Sequence, residues 1–383
     1  MNIAIVGYPT YGGSGVVATE LGKGLAHRGH NVHFLSYALP QRLDSIEANI
    51  SFHEVSVNVY PLFQYPPYDL ALASYMVNLV EHSDIDIFHV HYAVPHATSA
   101  FLAKQILGEK GKRVPIITTL HGTDITIVGS DPNYTPVVEF SINQSSGVTA
   151  VSDYLKEETY KRFNINKHIE VIPNFVDIDR FRKSDKEHFR KALCPEDEKI
   201  VVHVSNFRKV KRVTDVVETF SRILDSGVNA KLLLVGDGPE RQNVEAKCRE
   251  LGVCSDCRFL GKQEKVEEIL SISDLFLMPS GSETFGLAAL EAMSCSVPVV
   301  SSNIGGLPYL NIHGETGYVC ELGDIEAMSN HSIALLKDEE LHEKLSANAR
   351  KRAENFEQSK IVEQYEKFYE TIRDQMFEAS PDS

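Results

Sequence analysis

The sequence predicts an α/β protein made of two similar halves, each a parallel sheet flanked by helices, facing one another across a cleft. Three observations carry this. Short apolar runs alternate with helical stretches, the pattern of βαβ units. The alternation begins at the amino terminus and restarts near residue 199. The length, 383 residues, suits two domains of roughly 100–200 residues each.

Residues 3–7, Ile-Ala-Ile-Val-Gly, read as a buried strand. The glycine-rich turn Tyr11-Gly-Gly-Ser-Gly15 leads into a helix reaching about Arg28, with Gly29 as its C-cap. Further strands are read at residues 32–35, 85–90, 116–120 and 148–151. Residues 173–198, charged and punctuated by proline, form the boundary. The second half opens with a strand at 199–204, followed by a helix at 213–224 and strands at 231–235, 274–278 and 298–301. Residues 325–378 read as charge-rich helices. The expected domains are 1–173 and 174–360, with a last helix at about 361–383 packing back on the first.

The 38 Lys and Arg against 53 Asp and Glu give a net charge of −15, which argues against nucleic acid as the main partner. Residues 1–150 hold 7 cations and 12 acids, so no polybasic lipid anchor is expected there. No apolar run approaches the ~18–20 residues that span a bilayer. The amino terminus lacks the basic head of a secretory signal, so the expected location is the cytosol. Six cysteines are then expected to be reduced thiols. Cys254-Ser-Asp-Cys257 has the spacing of half a zinc site, but no second pair completes it.

The strongest cationic cluster is Arg208-Lys209-Val210-Lys211-Arg212. It follows a strand, and such a loop could neutralise a leaving diphosphate or form a solvated helix start. In the first half, Gly13-Ser-Gly15-Val-Val-Ala18 matches GxGxxA, where small residues let a phosphate approach a helix N-terminus. A nicotinamide enzyme also needs a carboxylate at the end of the second strand, yet that strand ends Phe34-Leu-Ser-Tyr37. An anion site without a nicotinamide cofactor is favoured, the alternative being a turn required only for packing.

The most informative stretch is Pro279-Ser-Gly-Ser-Glu283-Thr-Phe285-Gly286-Leu287, with Glu291 farther along the same helix. Two carboxylates so spaced can accept hydrogen bonds from hydroxyls at two ends of one extended ligand. Backbone N–H groups at Phe285 to Leu287 would be open to phosphate or sugar oxygens. A solvated surface pair is the alternative. His89-Val-His91 puts two imidazoles on one strand face, and Asp84-Ile-Asp86 has the form of a metal motif. No carboxylate cluster accompanies the imidazoles, so a cleft or packing role is expected for His91 and Tyr92, and Asp84-Ile-Asp86, which precedes a strand, reads as a solvated strand entrance. The run Tyr60-Pro-Leu-Phe-Gln-Tyr-Pro-Pro-Tyr68 reads as a rigid loop flanking the cleft.

Glu283-x7-Glu291 with the inner Phe-Gly, preceded by Pro279-Ser and followed by Pro298-Val-Val and Gly305-Gly306, resembles the retaining nucleotide-sugar glycosyltransferases of family 4. The resemblance runs over nearly the whole chain and implies the GT-B fold, two Rossmann-like domains around a cleft. More narrowly, Tyr8-Pro with Gly12-Gly-Ser-Gly15, Tyr65-Pro-Pro-Tyr-Asp69, His91-Tyr-Ala-Val-Pro-His96, Thr118-Thr-Leu-His-Gly-Thr-Asp124 and His203-Val-Ser-Asn-Phe-Arg208 are similar to the branch that glycosylates malate in bacillithiol biosynthesis.

That resemblance implies transfer of N-acetylglucosamine from UDP to the hydroxyl of L-malate, with retention at the anomeric carbon. By it, His121, Arg208, Lys211 and Glu283 form the catalytic set. Arg208 and Lys211 neutralise the diphosphate, Glu283 holds sugar hydroxyls and His121 lies beside the donor sugar. Gly13, Gly15, Gly261, Gln263, Phe285, Gly286, Leu287 and Glu291 bind the rest of the donor, Glu291 at the ribose and the 261–263 segment at the base. Ser14, Tyr92, Thr119, Asn206 and Arg208 meet the acceptor. A donor phosphate oxygen takes the acceptor proton, so neither a protein nucleophile, a metal nor a cofactor is implied. The implied partners are UDP-GlcNAc and L-malate, without nucleic acid or stable membrane insertion; a homo-oligomer is allowed. The alternatives are another small acceptor, such as an inositol phosphate or another hydroxy-acid, and an NAD-linked oxidoreductase. Three departures from the family pattern stand out: Arg208-x2-Lys211 in place of Arg-x4-Lys, Ser296 in place of Gly before Val-Pro298, and Tyr309 where Glu commonly follows Gly-Gly-x-Pro.

Overall fold

The computed structural model describes residues 1–10, 12–43, 47–57, 61, 63–184 and 186–378. Tyr11 of the glycine-rich turn, and Tyr60 and Leu62 of the proline-rich run, lie outside the described residues. The chain divides into two units, Met1–Asn174 with Gln358–Ser383, and Phe175–Glu357.

The first unit is built on seven parallel strands: β1 (Asn2–Val6), β2 (Asn31–Ser36), β3 (Ile50–Glu54), β4 (Ile87–His91), β5 (Ile116–Leu120), β6 (Gly147–Ala150) and β7 (Ile169–Val171). Their spatial order is β3-β2-β1-β4-β5-β6-β7. Order reverses between β1 and β4, so the loops leaving the carboxyl ends of these two strands diverge and open a crevice, the usual ligand position in such a sheet. The glycine-rich turn follows β1, and Tyr92 follows β4.

The second unit has six strands: β8 (Lys199–Val204), β9 (Ala230–Val235), β10 (Cys257–Gly261), β11 (Leu275–Met278), β12 (Val299–Ser302) and β13 (Gly317–Cys320). They lie in the order β10-β9-β8-β11-β12-β13, with the reversal between β8 and β11. The cationic loop follows β8 and the Glu283 loop follows β11. Both candidate donor elements therefore leave the sheet at its switch point.

Four strands escape the sequence reading: β3, β7, β10 and β13. They are the edges of the two sheets. A central strand is covered on both faces and reads as a continuous apolar run, as in the fully buried β4 and β5. An edge strand is half solvated, and β3 and β10 have no fully buried residue.

The helices read from periodicity follow the same logic. Helix Val213–Asp225 buries Val213, Val216, Val217, Phe220 and Ile223 on one stripe. The final helix, Gln358–Glu378, belongs to the first unit. It buries Ile361, Val362, Tyr365 and Tyr369, while Glu366 accepts from Arg28 Nε at 2.5 Å and pairs with His30 Nε2 at 2.7 Å. Gly24 is the contact point for this helix, since a Cβ there would stand 2.7 Å from Val362 Cγ2.

Candidate active site

In the second unit the chain leaves β8 through a turn of unusual backbone, with Phe207 at φ 34 and Arg212 at φ 50. Such left-handed conformations are strained for side-chain-bearing residues and persist only when surroundings enforce them. Phe207 is fully buried, its N–H donates to Ser205 Oγ (3.3 Å) and its carbonyl accepts from Glu240 N–H (2.9 Å). His203 completes the clamp. Its Nδ1–H donates to the Leu277 carbonyl at 2.8 Å, which leaves Nε2 to accept from the Ser205 hydroxyl at 2.8 Å. Burial pushes the His203 imidazole down to about 4, so it stays neutral.

Three loops are then joined by backbone bonds. Gly281 N–H donates to the Val210 carbonyl (2.7 Å), and Gly306 N–H to the Glu283 carbonyl (3.0 Å). Across this junction Lys211 Nζ meets Glu283 Oε2 at 2.6 Å, with 20% and 16% of the two side chains exposed. Arg212 is paired with Asp215 at 2.5 Å. Arg208 is exposed and, among the described residues, has no hydrogen-bond or ion-pair partner for its side chain. Lys209 is likewise exposed, so the cluster divides into two braced cations, Lys211 and Arg212, and two open ones, Arg208 and Lys209.

Gly286 opens the helix Leu287–Ser294 at φ 98, and a Cβ there would stand 2.7 Å from Leu307 Cδ2. Only glycine meets both conditions. The first intrahelical bond is Leu290 N–H to the Gly286 carbonyl (3.0 Å), so the N–H groups of Leu287 to Ala289 have no partner within the helix. Glu291 lies one turn deeper and is buried. Phe285 offers backbone only: its ring is buried edge-on against Phe356, with centroids 5.5 Å apart. Gly286→Ala is expected to destabilise the protein by about 1–2 kcal/mol through the left-handed backbone and to lower kcat/KM at least tenfold by shifting this helix mouth, as melting curves and steady-state rates would show.

At the edge of the same sheet the Gly261 carbonyl accepts from Gly236 N–H (2.7 Å), and exposed Gln263 donates through Nε2 to the Leu260 carbonyl (2.5 Å). Asn206 is exposed on the cationic loop.

In the first unit the glycine-rich turn is a close backbone approach. A Cβ on Gly15 would stand 2.5 Å from the Tyr8 carbonyl oxygen and 2.7 Å from that of Thr10. The exposed Gly13 and the partly buried Ser14 form the first residues of the helix Gly13–His27. Tyr92 O–H donates to Ser14 Oγ at 2.6 Å, and burial pushes the Tyr92 phenol up to about 12, keeping it a donor. Tyr92 itself sits at φ 83, immediately after β4.

Beneath these loops lies Asp124, which sequence reasoning gave no role. Its carboxylate accepts backbone N–H bonds from Ala93 (3.1 Å), Gly122 (2.9 Å) and His121 (3.3 Å), joining the loops after β4 and β5. Burial raises its pKa to about 6 despite those donors. The available signal was an acid two residues after a glycine at a strand end. His121 Nε2 lies 2.7 Å from His91 Nδ1, and its ring centroid is 5.2 Å from that of Tyr92. Thr119, the other acceptor residue expected on this strand end, lies in the sheet interior in this ligand-free structure. It is fully buried, and its hydroxyl is engaged by His89 Nε2 at 2.7 Å and Thr149 Oγ1 at 2.6 Å.

Among the described residues, no group of three or more His, Cys, Asp or Glu side chains could hold a metal ion, and no helix is long and apolar enough to cross a membrane. All six cysteines are free, with Cys254 exposed.

Two Rossmann-like units, the second carrying a braced cationic loop beside a carboxylate at a helix mouth, define a glycosyltransferase of the GT-B class. Residues 11–180 match the model of Glycosyltransferase Family 4, and residues 184–352 that of Glycosyl transferases group 1. The chain belongs to this glycosyltransferase family. It is 51% identical to the N-acetyl-alpha-D-glucosaminyl L-malate synthase of Bacillus anthracis over 377 residues, 98% of each chain. It is also 27% identical to the uncharacterized glycosyltransferase MJ1178 of Methanocaldococcus jannaschii, covering 96% of this chain and 97% of that one. In fold it is similar to Anabaena Alr3699/HepE, solved in complex with UDP and glucose, with a TM-score of 0.81, 20% identity, and 96% and 99% of the chains covered.

Proposed function

We propose that this enzyme transfers N-acetylglucosamine from UDP-GlcNAc to the hydroxyl of L-malate with retention of anomeric configuration, in the cytosol, as the first step of bacillithiol biosynthesis. The carrying observation is the open Arg208 beside the Lys211–Glu283 pair at the mouth of the helix Leu287–Ser294. The high identity to the malate synthase of Bacillus anthracis supports the choice of donor and acceptor.

In the proposed reaction the bond from the anomeric carbon to the β-phosphate oxygen breaks, and a bond to the malate hydroxyl oxygen forms on the same face. The hydroxyl proton passes to the departing phosphate oxygen. Arg208 and Lys211 stabilise the charge that grows on the diphosphate, worth a factor of about 10²–10³ in rate for a well-placed donor. Glu283 is displaced from Lys211 onto sugar hydroxyls, Glu291 accepts from the ribose, and the segment from Gly261 to Gln263 meets the base. The free N–H groups after Gly286 meet phosphate or sugar oxygens. In the first unit Gly13 and Gly15 leave room for a phosphate, while Ser14, Tyr92 and His121 provide neutral hydrogen-bonding groups for hydroxyls and carboxylates. No step calls on a metal.

The test is a mass-spectrometric screen of products from UDP-GlcNAc and a panel of hydroxy-acids and inositol phosphates, with UDP release followed in parallel. A GlcNAc-malate product with malate-dependent UDP release is expected. A different glycoside from the panel would replace malate as acceptor, and UDP release indifferent to every acceptor would reject the reading.

A further inference from the structure

Tyr309, where this chain departs from the family pattern, stands 48% exposed, and the transfer steps above leave it unused. Its ring packs edge-on against that of Phe356, with centroids 6.0 Å apart at 81°. Phe356 packs in turn against Phe285 beside the helix mouth, at 5.5 Å and 79°, and both phenylalanines are buried. Arg352, in the last turn of the helix Glu339–Ala353, lays its guanidinium over two of these rings. Its Cζ is 5.2 Å from the Tyr309 centroid and 5.1 Å from that of Phe356.

The same guanidinium closes a helix end. The last carbonyls of the short helix Leu307–Leu310 have no partner within it. Arg352 supplies one, donating through Nη2 to the Tyr309 carbonyl at 2.5 Å and through Nε to the Leu310 carbonyl at 3.4 Å. That helix is set hard against the Glu283–Gly286 backbone. A Cβ on Gly306 would stand 2.2 Å from the Thr284 carbonyl oxygen, and one on Gly286 would stand 2.7 Å from Leu307 Cδ2 and 3.5 Å from Leu310 Cδ2. The Phe285–Gly286 backbone is therefore gripped by two bodies, the Phe356 ring and the 306–310 segment, and Arg352 stacks on the first and bonds to the second. A planar guanidinium can lie on aromatic faces while aiming two N–H groups at carbonyls, which a lysine ammonium cannot.

We propose that Arg352, held by the face of Tyr309, is a positioning residue for the sugar nucleotide, fixing the Phe285–Gly286 backbone so that the N–H groups of Leu287 to Ala289 aim at diphosphate oxygens. The inference deepens the proposed function, since it rests on the donor diphosphate lying at this helix mouth. Hydrogen bonds weaken steeply with misalignment, so a slackened 306–310 segment costs donor affinity even though no ligand contact is removed. All the residues of this brace belong to the second unit. Tyr309 acts through its ring, and its hydroxyl is dispensable.

The test is calorimetric titration of the full chain with UDP, together with kinetics in which UDP-GlcNAc and malate are varied separately. Arg352→Lys is expected to weaken UDP binding and raise the KM for the sugar donor by about tenfold, the loss of hydrogen bonds from a charged group. The KM for malate should stay unchanged. Tyr309→Ala should act in the same direction by about two- to fivefold, the worth of an exposed cation–π contact, and Tyr309→Phe should restore wild-type values. A brace serving folding alone would lower the melting temperature and kcat but leave UDP affinity and both KM values in place. That pattern in Arg352→Lys and Tyr309→Ala overturns the proposal, as does a Tyr309→Phe variant that behaves like Tyr309→Ala. Should Arg352→Lys fail to fold, the two variants of the exposed Tyr309 decide alone. UDP titration needs no acceptor, so weakened binding in the variants, without any GlcNAc-malate from the wild type, would reject the proposed function and leave this inference standing. A GlcNAc-malate product with unaltered UDP binding in the variants would remove the inference alone.

Discussion

Truncating Lys211 or Glu283 to Ala is expected to slow sugar transfer by about 10²–10³-fold in each case, while the protein stays folded. The two groups hold one another at 2.6 Å before any ligand arrives, so either truncation removes both a ligand contact and the brace on its neighbour. Both side chains retain some contact with water, and the stability loss should stay near 1 kcal/mol, a few degrees in melting temperature. Glu283→Gln should fall less far, since an amide still accepts from sugar hydroxyls but cannot hold the lysine as tightly. The double variant should be little worse than the weaker single one, because the two act as a unit. Saturation kinetics with the sugar donor, together with melting curves, provide the check. Turnover at the wild-type level in both single variants would remove these residues from the catalytic set.

The first unit is expected to unfold in mild acid, in a transition centred between about pH 4 and 5. Burial depresses the folded pKa of His89 and His121 to about 3 and of His96 to about 4, and holds His91 well below its ordinary value. As pH falls below 6.5 the unfolded chain takes up protons that these folded imidazoles refuse, so stability drops with acidification. Each such group contributes about 1.4 kcal/mol per pH unit. Asp124 works in the opposite direction. Its folded pKa is about 6 against a usual 3.8, so the folded unit keeps a proton that the unfolded chain loses, and acidification from 6 to 4 returns some stability. The net loss is about 4 kcal/mol per pH unit, against a typical domain stability of about 5–15 kcal/mol. Asp124→Asn should therefore make the acid transition steeper. The chain has no Trp, so tyrosine near-UV circular dichroism and calorimetry are the suitable probes. A melting temperature unchanged between pH 7 and pH 5 would show that the imidazoles are not held neutral by folding.

Much of the site was legible because its elements are local. A glycine-rich turn after one strand, a run of cations after another and a Phe-Gly helix mouth beside a glutamate each occupy a few contiguous residues. The surroundings of Thr119 were hidden for the opposite reason. A threonine next to a strand end looks available in sequence, and only the neighbouring His89 and Thr149 show that its hydroxyl faces inward. Asp124 escaped notice because its three N–H donors come from two separate loops.

By itself the sequence determined the alternation of strands and helices, the two-fold repetition of that pattern, and the loops where glycine and charge accumulate. Period, composition and order are properties of neighbouring residues, and hydrophobic burial reads them directly. Only the tertiary structure decided which strands become edges and which polar groups meet. Lys211 and Glu283 are 72 residues apart, and His89 and Tyr369 are 280 apart. A hydrogen bond formed over such a separation leaves no mark near either partner, because the sheet order and the return of the last helix bring the two groups together.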